Sequence, residues 1–165
     1  MQPDCIKNGM TRIAAIMAMG QTAFNPASIT GLKLWLKADS LVLNDGDPVS
    51  TWTDSSGNGF TVTQATGGLQ PIYKIAILNG YPVVRFDGSN DALTNGSFAL
   101  SQPFTVITVV KGGASGSFQD FMFGGSASLT INTSGNIAVY GGNLVAGTSD
   151  IRGGNHVCTG IFNTV

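Results

Sequence analysis

The sequence contains no glutamate. All nine acidic residues are aspartates: Asp4, Asp39, Asp45, Asp47, Asp54, Asp87, Asp91, Asp120 and Asp150. Glutamate favours helices, whereas aspartate favours turns and caps, so the missing residue argues for strands and loops. Charge of either sign is scarce, at 10% of residues against roughly 25% in ordinary soluble domains. The eight cations, Lys7, Lys33, Lys37, Lys74, Lys111, Arg12, Arg85 and Arg152, are scattered along the chain. Nucleic-acid binding needs several clustered cations to displace counterions, so no nucleic-acid partner is expected. With a net charge of −1, little electrostatic repulsion opposes association.

Cysteine and histidine are also nearly absent. Cys5 and Cys158 lie near opposite ends of the chain with no CxxC, so they make no disulfide framework. Two readings stay open. Both are free thiols, with Cys158 buried in a strand, or the N-terminal arm folds back and brings the two Cα atoms within about 7 Å to form a bridge. His156 is the single histidine. It opens an apolar strand without a GxSxG elbow, and reads as a strand-end or interface residue rather than a base. One histidine and two distant cysteines do not make a zinc site. Gly112-Gly113-Ala114-Ser115-Gly116 lacks the GK[ST] ending and following helix of a phosphate cradle.

No apolar run is long enough to span a bilayer, which takes about 20 residues. Ile13 to Met19 follows Arg12 and is the longest candidate near the N-terminus. It reads as a signal-peptide core, with Lys7 and Arg12 as the positive region and Gln21-Thr22-Ala23 as a cleavage region, or as an arm or short helix that docks on a neighbour. The arm is the preferred reading, and Met10 is an alternative start. Asn25-Pro26-Ala27-Ser28 reads as a linker. The expected layout is an N-terminal arm or anchoring segment over 1–28 and a β-sandwich domain over 29–165.

What the chain does have is 42% hydrophobic residues, 23 glycines and regular strand signals. Leu32 to Lys37 alternates, with three leucines on one face and Lys33, Trp35 and Lys37 on the other, which predicts a half-buried strand. Val49 to Thr53 and Phe60 to Gln64 flank the polar loop Asp54-Ser55-Ser56-Gly57-Asn58-Gly59. Tyr73 to Leu78 and Val83 to Phe86 flank Asn79-Gly80, a strong hairpin signal. Phe104 to Val110 is nearly continuous in β-branched residues and predicts a central strand buried on both faces. Phe118 to Phe123, Ser128 to Asn132, Asn136 to Tyr140 and His156 to Phe162 supply four more strands. Turn signals every 8–12 residues and no sustained 3.6-residue period predict an all-β sandwich or barrel.

Several blocks resemble a known family. Gly31-Leu32-Lys33-Leu34-Trp35-Leu36-Lys37-Ala38-Asp39 is similar to the opening of the laminin-G/concanavalin A-like jelly rolls of phage and bacterial proteins. Trp52-Thr53-Asp54-Ser55-Ser56-Gly57-Asn58-Gly59 resembles their WxDxSGNG turn. Gln64-Ala65-Thr66, Gln70-Pro71 and Asn79-Gly80-Tyr81-Pro82-Val83-Val84-Arg85-Phe86-Asp87-Gly88 resemble their next block, and Phe104 to Lys111 their central strand. The likeness covers residues 29–111 well and the remainder loosely. It implies an antiparallel two-sheet jelly-roll sandwich. Relatives usually continue past the last strand here, so the resemblance also implies a sandwich incomplete at the C-terminus: either residues are missing from this chain, or a neighbouring chain covers an open edge.

The fold alone does not select a function. Glycosidases of this fold use paired carboxylates, commonly ExDxE, and no such pair is written here. Asp45 and Asp47 have the i, i+2 spacing but flank a glycine in a turn, so no catalytic residue is assigned and no enzyme is expected. Related domains often bind calcium, and Asp54, Asn58, Asp87, Asn90 and Asp91 are suitable oxygen donors. Asx turns need the same residues, and bracing turns is the preferred role for Asp54 and Asp87. No metal or cofactor residue is assigned. Trp35, Trp52, Tyr73, Tyr81 and Tyr140 are candidate sugar platforms, none preferred over a core role. The segment leading into Phe24-Asn25-Pro26-Ala27-Ser28 is similar to phage structural proteins. The expectation is a non-enzymatic virion protein, as capsid decoration, fibre or tail component. Its expected partners are its own copies or other virion proteins, with a host-surface glycan as a further ligand. The alternative is a secreted or surface-displayed carbohydrate-binding module.

Overall fold

Asn79 and Gly80 both take positive φ, 50° and 84°, and reverse the chain between Leu78 and Tyr81. Two consecutive left-handed residues match the right-handed twist of the flanking strands, which is why Asn-Gly is favoured there. The computed structural model describes residues 24–111 throughout. Beyond them it describes the backbone of five strands. The predicted arm up to residue 23, Cys5 and any bridge to it, and the loop 112–116 lie outside the described residues.

The chain divides into two units, Met1–Lys33 and Leu34–Val165. The described part of the first holds a 3₁₀ turn, Pro26–Ser28, capped by the Asn25 side chain accepting from the Ala27 amide at 3.0 Å. The second is mainly strand. Among the described residues the only helices are two further three-residue 3₁₀ turns, Ala38–Ser40 and Gly67–Leu69. No helix among the described residues is long and apolar enough to cross a membrane.

Ten strands are described: β1 Thr51–Trp52, β2 Val62–Thr63, β3 Ile72–Leu78, β4 Tyr81–Arg85, β5 Phe104–Val110, β6 Gln119–Gly124, β7 Ala127–Ile131, β8 Asn136–Gly141, β9 Leu144–Asp150 and β10 His156–Phe162. All pairings are antiparallel. β1 pairs with β2, β3 with β4, and β6 to β9 form a four-stranded meander in chain order. β5 pairs with β10 across the whole meander, from His156 opposite Val110 to Phe162 opposite Phe104. The class is therefore all-β, built of small antiparallel sheets.

Three expectations change. Leu32 to Lys37 is not a strand. The Trp35 amide donates to the Asp54 carboxylate at 2.8 Å and its carbonyl accepts from the Ser55 amide at 2.8 Å, so a loop satisfies the polar groups that a ladder would have used. β5 is not buried on both faces. Exposure alternates along it, leaving Ile107 63% and Val109 58% exposed. An unbroken β-branched run reports backbone preference, and it does not separate a doubly covered strand from one with an apolar open face. β9 was not foreseen, because Leu144 to Asp150 mixes glycine, serine and threonine with few large apolar residues.

Among the described residues, buried side chains concentrate where residues 44–49 run beside the start of β3. The Val49 amide donates to the Pro71 carbonyl at 2.8 Å, the Tyr73 amide to the Asp47 carbonyl at 2.8 Å, and the Gly46 amide to the Tyr73 carbonyl at 2.7 Å. Val49 and Pro71 are fully buried, and Tyr73 and Val62 nearly so. Nearby, the rings of Phe60 and Phe98 meet edge to face, with centroids 4.9 Å apart. Val49→Ala should cost about 2 kcal/mol through lost burial and a residual void. Val42→Ala, at a side chain 98% exposed, should stay within about 0.5 kcal/mol. Urea denaturation midpoints of the two variants test the contrast, and equal shifts would contradict this placement of the core.

Candidate functional site

The polar residues that could hold a substrate or an ion sit in turns, and most of their oxygens already serve the backbone. Asp54 is the one buried charged residue among those described, at 9% exposure. Its Oδ1 accepts from the Trp35 and Ser56 amides, each at 2.8 Å, and its Oδ2 accepts from the Ser56 hydroxyl at 2.6 Å. Burial pushes this carboxyl up. The Ser56 hydroxyl and the amides of Ser56, Trp35 and Phe60 outweigh it and hold the group below the usual carboxylate range. Asn58 caps the same loop, donating from its side chain to Ser56 Oγ at 2.9 Å.

Asp87 behaves alike in an exposed turn. Its Oδ1 accepts from the Ser89, Asn90 and Asp91 amides at 2.8, 3.1 and 3.3 Å, while its own amide donates to Asp91 Oδ2 at 2.8 Å. The Ser89 and Asn90 amides, acting first, lower its pKa. Asp45 is held low mainly by its ion pair with Lys74 and then by the Ile75 amide at 3.0 Å. Asp47 Oδ2 accepts from the Asn44 amide and side chain. Asp54 and Asp87 thus brace turns, and Asp45 and Asp47, the i, i+2 pair, hold separate segments. Among the described residues no three His, Cys, Asp or Glu side chains are placed to share a metal ion.

The aromatic candidates divide by burial. Tyr73 is core at 5% exposure. Trp35 and Trp52 are half-buried. Lys37 Nζ lies 4.9 Å from the centre of the Trp35 ring, and Trp52 Nε1 donates to the Lys37 carbonyl at 2.8 Å. Lys37 also pairs with Asp39 at 3.6 Å. Lys37 caps the Trp35 ring, a contact that the sequence pattern did not reveal. Tyr81 is open, 65% exposed at the hairpin tip. The side chains of Tyr140, His156 and Cys158 lie outside the described residues. The backbone places His156 at the start of β10 and Cys158 opposite Thr108.

The feature with unspent binding capacity is apolar. β5 contains no charged residue and presents Thr105, Ile107 and Val109 on its open face. The β3–β4 hairpin exposes Ile75, Ile77 and Tyr81, and Phe86 follows at 46% exposure. Isolated exposed hydrophobic residues are ordinary, but repeated ones on uncharged strands favour association. No family model, curated protein or solved structure matches the chain.

Asp45, Asp54 and Asp87 all have folded pKa values lowered from those of the unfolded chain. Their stabilisation is full above the unfolded carboxylate value of about 4 and is lost as pH falls through the lower folded values. The urea midpoint should therefore decline below about pH 4. Asp54→Ala should cost about 2–4 kcal/mol at neutral pH and flatten that decline. An unchanged midpoint in Asp54→Ala would show that this carboxylate does not brace the loop.

Proposed function

We propose that the chain is a non-enzymatic assembly module with an antiparallel jelly-roll sandwich body, serving as a structural protein of a phage virion. Its place would be in capsid decoration, a fibre or the tail. The observation that carries this reading is the uncharged strand β5 with Ile107 and Val109 open to solvent. The near-neutral charge supports it, because little repulsion opposes docking on copies of itself or on other virion proteins. The motif resemblance over residues 29–111 supports the sandwich and the phage setting. Among the described residues, Asp45, Asp54 and Asp87 are engaged in bracing turns or pairing with Lys74, which favours binding over catalysis.

A second reading, a secreted or surface-displayed carbohydrate-binding module, draws on Tyr81. An exposed ring at a hairpin tip suits stacking on a sugar face. The two readings combine if the virion protein touches host glycans.

A specific antibody applied to purified particles from the source, followed by imaging, separates them. Label on particles supports the virion protein. Label confined to the medium or cell surface overturns it in favour of the glycan-binding module. In solution the chain should associate with rising concentration, and Ile107→Lys with Val109→Lys should weaken that association at least about tenfold. Sedimentation velocity reads the effect. A wild-type chain monomeric at every concentration would remove self-association from the proposal.

A further inference from the structure

We propose that Asn79 is a site of spontaneous deamidation and isoaspartate formation, the fastest among the described Asn-Gly steps. Three such steps are described: Asn58-Gly59, Asn79-Gly80 and Asn95-Gly96. In each, the residue after asparagine has no side chain to shield its nitrogen, and a Cβ built on any of the three glycines would meet nothing within 4 Å. The local sequence term is therefore shared, and differences must come from the fold.

The fold treats the three amides differently. Asn95 is held on both ends. Its Nδ2 donates to the Thr61 carbonyl at 2.7 Å, and its Oδ1 accepts from the Ser97 amide at 2.9 Å and the Ser97 hydroxyl at 3.0 Å. Asn58 is tethered through Nδ2 to Ser56 Oγ at 2.9 Å, and its backbone amide donates to the same oxygen at 3.3 Å. Asn79 is exposed, and its side chain has no hydrogen-bond partner among the described residues.

The backbone around Asn79 is also the easiest to open. The β3–β4 register is continuous from Ile72–Arg85 to Lys74–Val83 and then breaks. Ala76 sits at φ 55° inside the break, and Leu78–Tyr81 is the single pair beyond it. An alanine at positive φ is strained. The tip is therefore tied by one pair next to a strained bulge, and a short local opening frees Asn79 to leave its turn conformation.

The reaction needs only water. The Gly80 backbone nitrogen, losing its proton to solvent base, attacks Asn79 Cγ. The new N–Cγ bond closes a five-membered succinimide, the Cγ–Nδ2 bond breaks, and Nδ2 leaves as ammonia after taking up a proton. Water then opens the ring at either carbonyl, giving aspartate or isoaspartate at position 79. No atom is oxidised or reduced. Either product adds one negative charge to a chain of net charge −1. Isoaspartate also inserts a methylene into the main chain of a two-residue turn that fixes the register of the hairpin tip.

The test is to incubate the full chain in mildly alkaline buffer near body temperature and follow the three peptides by mass spectrometry. Isoaspartyl methyltransferase labelling counts the isoaspartate. Asn79 should convert first, with Asn58 about fivefold slower and Asn95 about tenfold or more slower, as the tethers require. A parallel incubation in concentrated urea should bring the three rates together. Asn58 or Asn95 converting as fast as Asn79 in the folded chain would overturn the proposal. So would the folded order persisting unchanged in urea, since the fold would then not be its cause. Asn79→Gln should remove the early product while leaving the slower conversions at Asn58 and Asn95.

Discussion

The Asp54 carboxylate joins parts of the chain that no strand ladder connects. It gathers the Trp35 amide from a distant extended segment and the Ser56 amide and hydroxyl from its own loop, with Phe60 contributing as well. A buried anion is costly unless it is fully hydrogen-bonded, and here the partners more than offset the burial. The arrangement matters because, among the described residues, few side chains are fully withdrawn from water. Val49, Val62, Pro71 and Tyr73 are the buried apolar residues among those described, and the surrounding turns are set largely by polar side chains bonded to backbone. Gln64 and Gln70 act in the same way, since Gln64 Nε2 donates to the Ala92 carbonyl and Gln70 Nε2 to the Gln64 carbonyl.

These braces clarify what the conspicuous sequence blocks do. Asp54, Gln64, Gln70 and Asp87 are four polar residues of the stretches that resemble the jelly-roll family, and each is bonded to its own chain. A chemist seeking a reactive carboxylate would choose Asp54 and Asp87, and the hydrogen bonds show both occupied as acceptors. Scarce charge then has a second effect. With aspartates turned inward to the turns and Lys74 and Lys37 paired with aspartates, the strands have little electrostatic protection against other apolar surfaces.

The sequence was most legible where local geometry alone decides the structure. Asn79-Gly80 marked a hairpin because only such residues take two positive φ values in succession, and His156 to Phe162 was bounded by its own apolar run. Legibility failed where a distant partner decides. Leu32 to Lys37 alternates like a strand, yet Asp54, far along the chain, takes the Trp35 amide. The exposure of Ile107 and Val109 depends on what packs over β5, which a β-branched run does not encode. The Lys37–Trp35 contact joins neighbours two apart, a spacing that on a strand reads only as a shared face. At the candidate surface, the exposed strand was legible as a strand but not as a surface.

The pairing of β5 with β10 also sets an order of events during synthesis. Every other sheet among the described residues joins strands that follow one another, so each can close as soon as its segments leave the ribosome. β5 finds its antiparallel partner only after the entire β6–β9 meander has been made, because Phe104 lies opposite Phe162. Until then β5, an uncharged strand rich in β-branched residues, waits without that neighbour. The nascent chain is therefore most vulnerable to tangling with other chains during this interval, and a chaperone that shields Phe104 to Val110 would act there.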